Sequence, residues 1–103
     1  MRAGDMDRRV TIQRFELVDD GYSSVEVWSD LLTTWAEVRQ ETGREFFAAA
    51  AVQSERKVIF RMRFIEGITV LDRVVYDGRN HNIHEVRELG RVEGMELHTS
   101  ASG

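Results

Sequence analysis

With 103 residues, the chain has the length of one small domain with a modest core. Its 14 basic and 18 acidic residues give a net charge of −4, which counts against a module that grips nucleic acid through phosphates; such a module carries a basic surplus. No cysteine is present, so disulfides, thiolate chemistry and cysteine-based zinc sites are excluded, and the absence of proline leaves the loops without fixed φ angles. No apolar run approaches the ~20 residues that span a bilayer. The N-terminus, Met1-Arg2-Ala3-Gly4-Asp5, lacks the apolar stretch of a secretory signal, so the expectation is a protein without membrane contact that stays in the cytoplasm where it is made.

In chain order, residues 1–7 are polar and expected to be flexible. Arg8 to Phe15 places Val10 and Ile12 on one parity and reads as a strand. Val18-Asp19-Asp20-Gly21-Tyr22-Ser23-Ser24 is rich in turn residues and reads as an exposed loop, one that could order on meeting a partner. Val25 to Trp28 reads as a short strand or an irregular approach to the next. Leu32 to Gln40 is a better strand, with Thr34, Ala36 and Val38 on one face and Trp35, Glu37 and Arg39 on the other. Trp35 then either caps one end of the core or stands partly exposed, as interface tryptophans do.

The period changes next. Thr42-Gly43-Arg44-Glu45 fits a capping box, and Phe46-Phe47-Ala48-Ala49-Ala50-Ala51-Val52-Gln53 favours a helix, so one α-helix is predicted over about 44–54. Phe46 and Phe47 are adjacent, so one helix face does not bury both.

Arg56 to Ile65 alternates cleanly. Val58, Phe60, Met62 and Phe64 point to a core, while Lys57, Arg61 and Arg63 form a basic stripe that is either a solvated outer face or an intersubunit contact. Asp72 to Tyr76 and Arg79 to Val86 flank Asp77-Gly78, a strong signal for a type I′ hairpin because both turn residues need φ > 0. Ile83 and Val86 break the alternation, which predicts a bulge or strand end near His84. Gly90 and Gly94 bracket another turn before a last strand with Met95 and Leu97, and residues 99–103 read as a flexible tail.

The expected fold is therefore mainly β: a small antiparallel barrel or sandwich of five to six strands with one inserted helix, in a single domain over 1–103. Catalytic signatures are weak. His81 and His84 sit three apart on a strand, which sends them to opposite faces unless a bulge intervenes, so a metal site is not favoured. No glycine-rich phosphate loop and no Gly-x-Ser-x-Gly elbow occurs. The chain reads as a non-enzyme with no cofactor, no metal and no catalytic residue.

The order and spacing of Arg9-Val10-Thr11-Ile12-Gln13, Asp20-Gly21-Tyr22, Val27-Trp28, Thr34-Trp35-Ala36-Glu37-Val38, Gly43-Arg44-Glu45-Phe46-Phe47-Ala48-Ala49, Val58-Ile59-Phe60-Arg61-Met62-Arg63, Arg73-Val74-Val75-Tyr76-Asp77-Gly78-Arg79, His81-Asn82-Ile83-His84-Glu85-Val86 and Met95-Glu96-Leu97 resemble the phage head-tail joining family, also called head-closure or stopper proteins. The resemblance covers about Arg8 to Leu97 and is strongest in Thr-Trp-Ala-Glu-Val followed by Gly-Arg-Glu-Phe-Phe. It implies a virion protein of the neck, with a ring of six or twelve copies below the portal and adaptor proteins and above the tail terminator or tail tube. Such a ring helps retain packaged DNA, which passes without sequence-specific binding, and offers a platform for the tail.

The residues singled out for these roles are Arg44, Glu45, Phe46, Phe47 and Gln53 as a gating or intersubunit segment, Asp19, Asp20 and Tyr22 as a docking loop, and Trp35, Lys57, Arg61 and Arg63 as an interface stripe. A small-barrel nucleic-acid binder, a tail-completion or neck protein of the same fold, and a small enzyme or metal protein stand as alternatives.

Overall fold

The computed structural model of the chain describes residues 3–40 and 55–102. After a 3₁₀ turn at Ala3–Asp5 come six strands: β1 (Arg8–Asp19), β2 (Ser24–Gln40), β3 (Glu55–Met62), β4 (Arg73–Tyr76), β5 (Arg79–Leu89) and β6 (Gly94–Ser102). All pairings are antiparallel, and the order β1-β2-β3-β6-β5-β4 closes on itself through β4 and β1, so of the expected barrel or sandwich of five to six strands the chain forms the six-stranded barrel. The predicted helix at 44–54 lies outside the described residues.

The alternation of β3 sets the core. Val58, Phe60 and Met62 point inward and meet Val10 and Ile12 of β1, Ala36 of β2, Val74 of β4, Ile83 of β5, and Met95 and Leu97 of β6, with Ile68 closing one end from the β3–β4 connection. Each such large side chain contributes about 1.5–3 kcal/mol by leaving water. The Asp77-Gly78 pair forms the expected two-residue hairpin between Tyr76 and Arg79, with φ of 53° and 74°. The expected bulge is at His84: the β5–β6 register shifts between Ile83 and Glu85, so Ile83 stays inside while His84 turns out.

Two segments differ from the sequence reading. Val25 to Trp28 and Leu32 to Gln40 belong to one strand of 17 residues, because a bulge at Leu31 resets the parity without breaking the strand; Leu32 faces Ile12, and Asp30 faces Gln13. Residues 99–102, expected to be a flexible tail, continue β6 against β3, and Thr99, Ser100 and Ala101 are buried. Small side chains fit that crowded position, and the Thr99 hydroxyl donates a 2.8 Å hydrogen bond to the Val58 carbonyl.

Candidate functional site

The pairing registers single out one part of the molecule. β1 pairs with β4 only over Thr11–Gln13, and β2 pairs with β3 only over Ala36–Gln40. Beyond those points Arg14–Asp19 and Ser24–Ser29 pair only with each other among the described residues, so they form a two-stranded arm with both outer edges unpaired. An isolated hairpin is marginal in water, so this arm needs a fixed root.

The root is fixed on both faces. On one, Arg14 donates from Nε and Nη2 to the two carboxylate oxygens of buried Asp72 at 2.9 and 3.0 Å, and from Nη2 to the Gly67 carbonyl at 2.7 Å. Asp72 also accepts the Thr69 N–H at 2.9 Å, so one carboxylate ties the arm to the β3–β4 connection. The bond to Asp72 raises the Arg14 pKa above its ordinary value, so the guanidinium stays charged. On the other face, the Arg73 guanidinium lies 3.9 Å from the centre of the Trp28 ring, and Trp28 packs against Phe15 with ring centres 5.2 Å apart. Arg73 Nε donates to Gln13 Oε1, and Gln13 Nε2 to Asp30 Oδ1, both at 2.8 Å. A cation over an indole is worth about 0.5–2 kcal/mol, the more as water is excluded.

The tip is ordered by its own backbone. Asp20 Oδ1 accepts the N–H groups of Ser23 (2.8 Å) and Tyr22 (2.9 Å), and Asp19 Oδ1 accepts that of Gly21 (2.9 Å). These bonds, the one from Ser23 first, hold the Asp20 carboxyl below its ordinary pKa. Gly21 has φ of 95°, a conformation that side-chain-bearing residues rarely adopt. The expected docking loop Val18–Ser24 is thus the turn of a hairpin, shorter than the sequence suggests. Tyr22 is 99% exposed, Leu17 is 67% exposed, and Val18, Val25 and Val27 are also exposed. Glu16, Asp19, Asp20 and Glu26 are interspersed among them and are exposed as well.

At the other end of the same ribbon, Trp35 is 51% exposed and does not cap the core. Arg9, its partner across the β1–β2 ladder, lies over the ring at 5.4 Å. Trp35 borders a shallow cleft of about 400 Å³ with Met6, Thr34 and Arg63.

The expected basic stripe is divided. Arg61 lies between Glu37 on β2 and Glu96 on β6, and Glu96 in turn faces Arg87 on β5, a row of alternating charge across four strands. Arg61 donates from Nη2 to Glu96 Oε2 at 2.6 Å, and His98 Nε2 lies 3.3 Å from Glu96 Oε1. The Arg61 bond, more than the His98 contact, holds the Glu96 carboxyl below its ordinary pKa. Lys57 in β3 and Arg63 just after it are exposed. The candidate residues Arg44, Glu45, Phe46, Phe47 and Gln53 lie outside the described residues.

The histidines do not converge. His81 is buried against Phe60, ring centres 5.2 Å apart, while His84 is outside, bonded to the Ser100 hydroxyl. Among the described residues no group of three or more metal-ligating side chains is found. Sequence reasoning misses Arg14, Asp72, Arg73 and Phe15, which root the arm; the ties Arg14–Asp72 and Gln13–Arg73 span about 60 positions and leave no local periodic signal.

Comparison with solved structures finds the same fold in a protein from Shigella flexneri 2a determined in solution, at 22% identity and a TM-score of 0.76, with 100% of this chain and 98% of that one covered. A chain in the virion of a native gene transfer agent particle matches at 17% identity and a TM-score of 0.67, covering 94% of each. No curated protein sequence matches. The model of the phage head completion protein family matches residues 1–101, nearly the full length, and this chain belongs to that family.

Proposed function

We propose that the chain is a structural connector in the neck of a tailed phage or phage-like particle, where copies form a ring between the portal or adaptor and the tail. There the ring helps retain packaged DNA and docks the tail. Membership of the head completion family supports this reading, as does the shared fold with a chain of a gene transfer agent virion. The observation that carries it is the arm: a domain of this size roots a hairpin through Asp72 and Arg73 and then leaves Leu17, Tyr22, Val25 and Val27 in solvent. Apolar side chains gathered on a fixed projection mark a surface built for other chains.

The role is non-catalytic, and six and twelve copies both suit it. DNA passes such a ring without being gripped: the net charge is −4, and Arg61 of the expected basic stripe is paired with Glu96. That pairing also weighs against a small nucleic-acid-binding barrel.

Electron microscopy of particles produced with and without the gene tests the reading. The expected result is density for this barrel at the head-tail junction, and heads without tails or without retained DNA when the gene is deleted. Normal infectious or transducing particles from the deletion would refute it.

A further inference from the structure

The two exposed ends of the β1–β2 ribbon are unlike in charge. The arm from Arg14 to Ser29 holds Glu16, Asp19, Asp20 and Glu26 against the single cation Arg14, which Asp72 already engages. The opposite end carries four arginines, Arg8, Arg9, Arg39 and Arg63, against Asp5, Asp7 and Glu37; Arg8 lies 3.9 Å from Asp7 and Arg39 2.8 Å from Glu37, while Arg9 is stacked on Trp35 with Arg63 and Met6 beside it. About ten residues separate the ends on each strand, roughly 30 Å at strand rise. An arm therefore does not reach the cleft of its own chain.

We propose that the acidic, apolar arm of one copy seats in the Arg9–Trp35–Arg63 cleft of the next. The occupant is a second copy of this chain, and the charge complementarity of the two ends identifies it. Tyr22 and Leu17 supply the apolar surface that covers Trp35, while Asp19 and Asp20 face Arg9 and Arg63. Tryptophan, tyrosine and arginine are the residue types that dominate binding energy at interface centres. Donor and acceptor are different surfaces, so the contact is head-to-tail; it repeats around an axis and closes into a ring when the rotation allows. The inference rests on the connector reading and specifies the joint between its subunits.

The absence of cysteine makes the test clean. Particles are assembled with a chain carrying Tyr22→Cys and Arg63→Cys, treated with a bifunctional maleimide and run on a denaturing gel. The expected result is a ladder of linked chains from dimer upward, whereas either single substitution gives no species beyond a dimer. Both positions are exposed, and a thermal melt matching the parent confirms folding; Leu17→Cys with Arg9→Cys is the second pair. Chain present in the particles with no ladder from either pair overturns the inference and leaves the connector reading intact. Chain absent from particles made with the unaltered gene overturns both. A ladder produced equally by free protein mixed with an excess of unrelated acidic protein would show nonspecific linking, and that also overturns it.

Discussion

Arg14 and Asp72 lie 58 positions apart in sequence and meet in a two-pronged ion pair, 2.9 and 3.0 Å long, with the Asp72 side chain almost fully buried. The pair decides how far the β1–β2 ribbon can project before it must support itself. Asp72 also accepts the Thr69 N–H, so its loss frees both the arm and the loop that carries it.

Asp72→Ala is therefore expected to lower the melting temperature more than any single substitution of the exposed arm residues. Amide exchange over Arg14–Val18 should speed up well before that of β3 or β6, because the barrel core does not depend on the pair. Uniform acceleration in all strands, followed by hydrogen exchange and mass spectrometry, would show that Asp72 supports the barrel and not the arm.

His81 gives the chain a pH signature near neutrality. It is 4% exposed, neither ring nitrogen has a partner in good hydrogen-bond geometry, and burial, which outweighs the opposing pull of the nearby Tyr76 backbone, pushes its pKa below the ordinary value of 6.5. The folded chain thus holds the neutral ring while the unfolded chain takes up a proton below about pH 6.5. Stability is complete above that value and falls as pH drops toward the lower folded pKa. His81→Leu should flatten urea midpoints measured from pH 7 to 5. It should also stabilise at pH 7 by about 1 kcal/mol, since an unpaired buried polar group costs roughly 1–3.

Glu96 acts at lower pH. Its bond from Arg61 depresses its folded pKa, so its contribution is present above the unfolded value of about 4.5 and is lost as pH falls through the folded one. Glu96→Gln should be less stable than the parent at neutral pH, with the difference shrinking below pH 4 as the parent protonates. Parallel acid-unfolding curves for the two proteins would contradict this.

Val92 has φ of 62° in the β5–β6 turn, a region in which branched side chains are strained. Relief is worth roughly 1–3 kcal/mol, less up to ~1 for the added freedom of an unfolded glycine. Val92→Gly should raise stability by about 1 kcal/mol in denaturant titration, with the arm and cleft unchanged.

Core identity tests the barrel itself. Phe60 is fully buried and touches Tyr76 and His81 edge-on, with ring centres 5.7 and 5.2 Å away. Phe60→Ala should cost about 3–5 kcal/mol, a large part of the stability of a small domain. The readout is loss of cooperative melting at 37 °C.

What was legible in the sequence is local. The alternation of Val58, Phe60 and Met62, the Asp77-Gly78 turn and the parity break at His84 each declare themselves within a few residues, and together they lead to a barrel or sandwich of five to six strands, of which the structure forms the six-stranded closed one. The length of β2 was hidden because the bulge at Leu31 flips parity in mid-strand, so one strand reads as two fragments. The end of β6 was hidden because Ser100 and Ala101 look like a tail until β3 is laid beside them. The arm was missed as a unit because its rooting partners, Asp72 and Arg73, lie three strands on. Asp19, Asp20 and Tyr22 read as a loop, and the hydrogen bonds that Asp19 and Asp20 accept from the backbone make it a hairpin turn.

Among the described residues the outer edges of the arm have no partner strand, which bears on how the chain behaves in solution. Bare strand edges with valines on them are templates for stacking into fibrils. Here Glu16, Asp19, Asp20 and Glu26 punctuate those edges. Two arms laid side by side would bring carboxylates to within about 5 Å of one another, a repulsive arrangement. These acidic residues are thus placed as gatekeepers that disfavour edge-to-edge stacking of one arm on another.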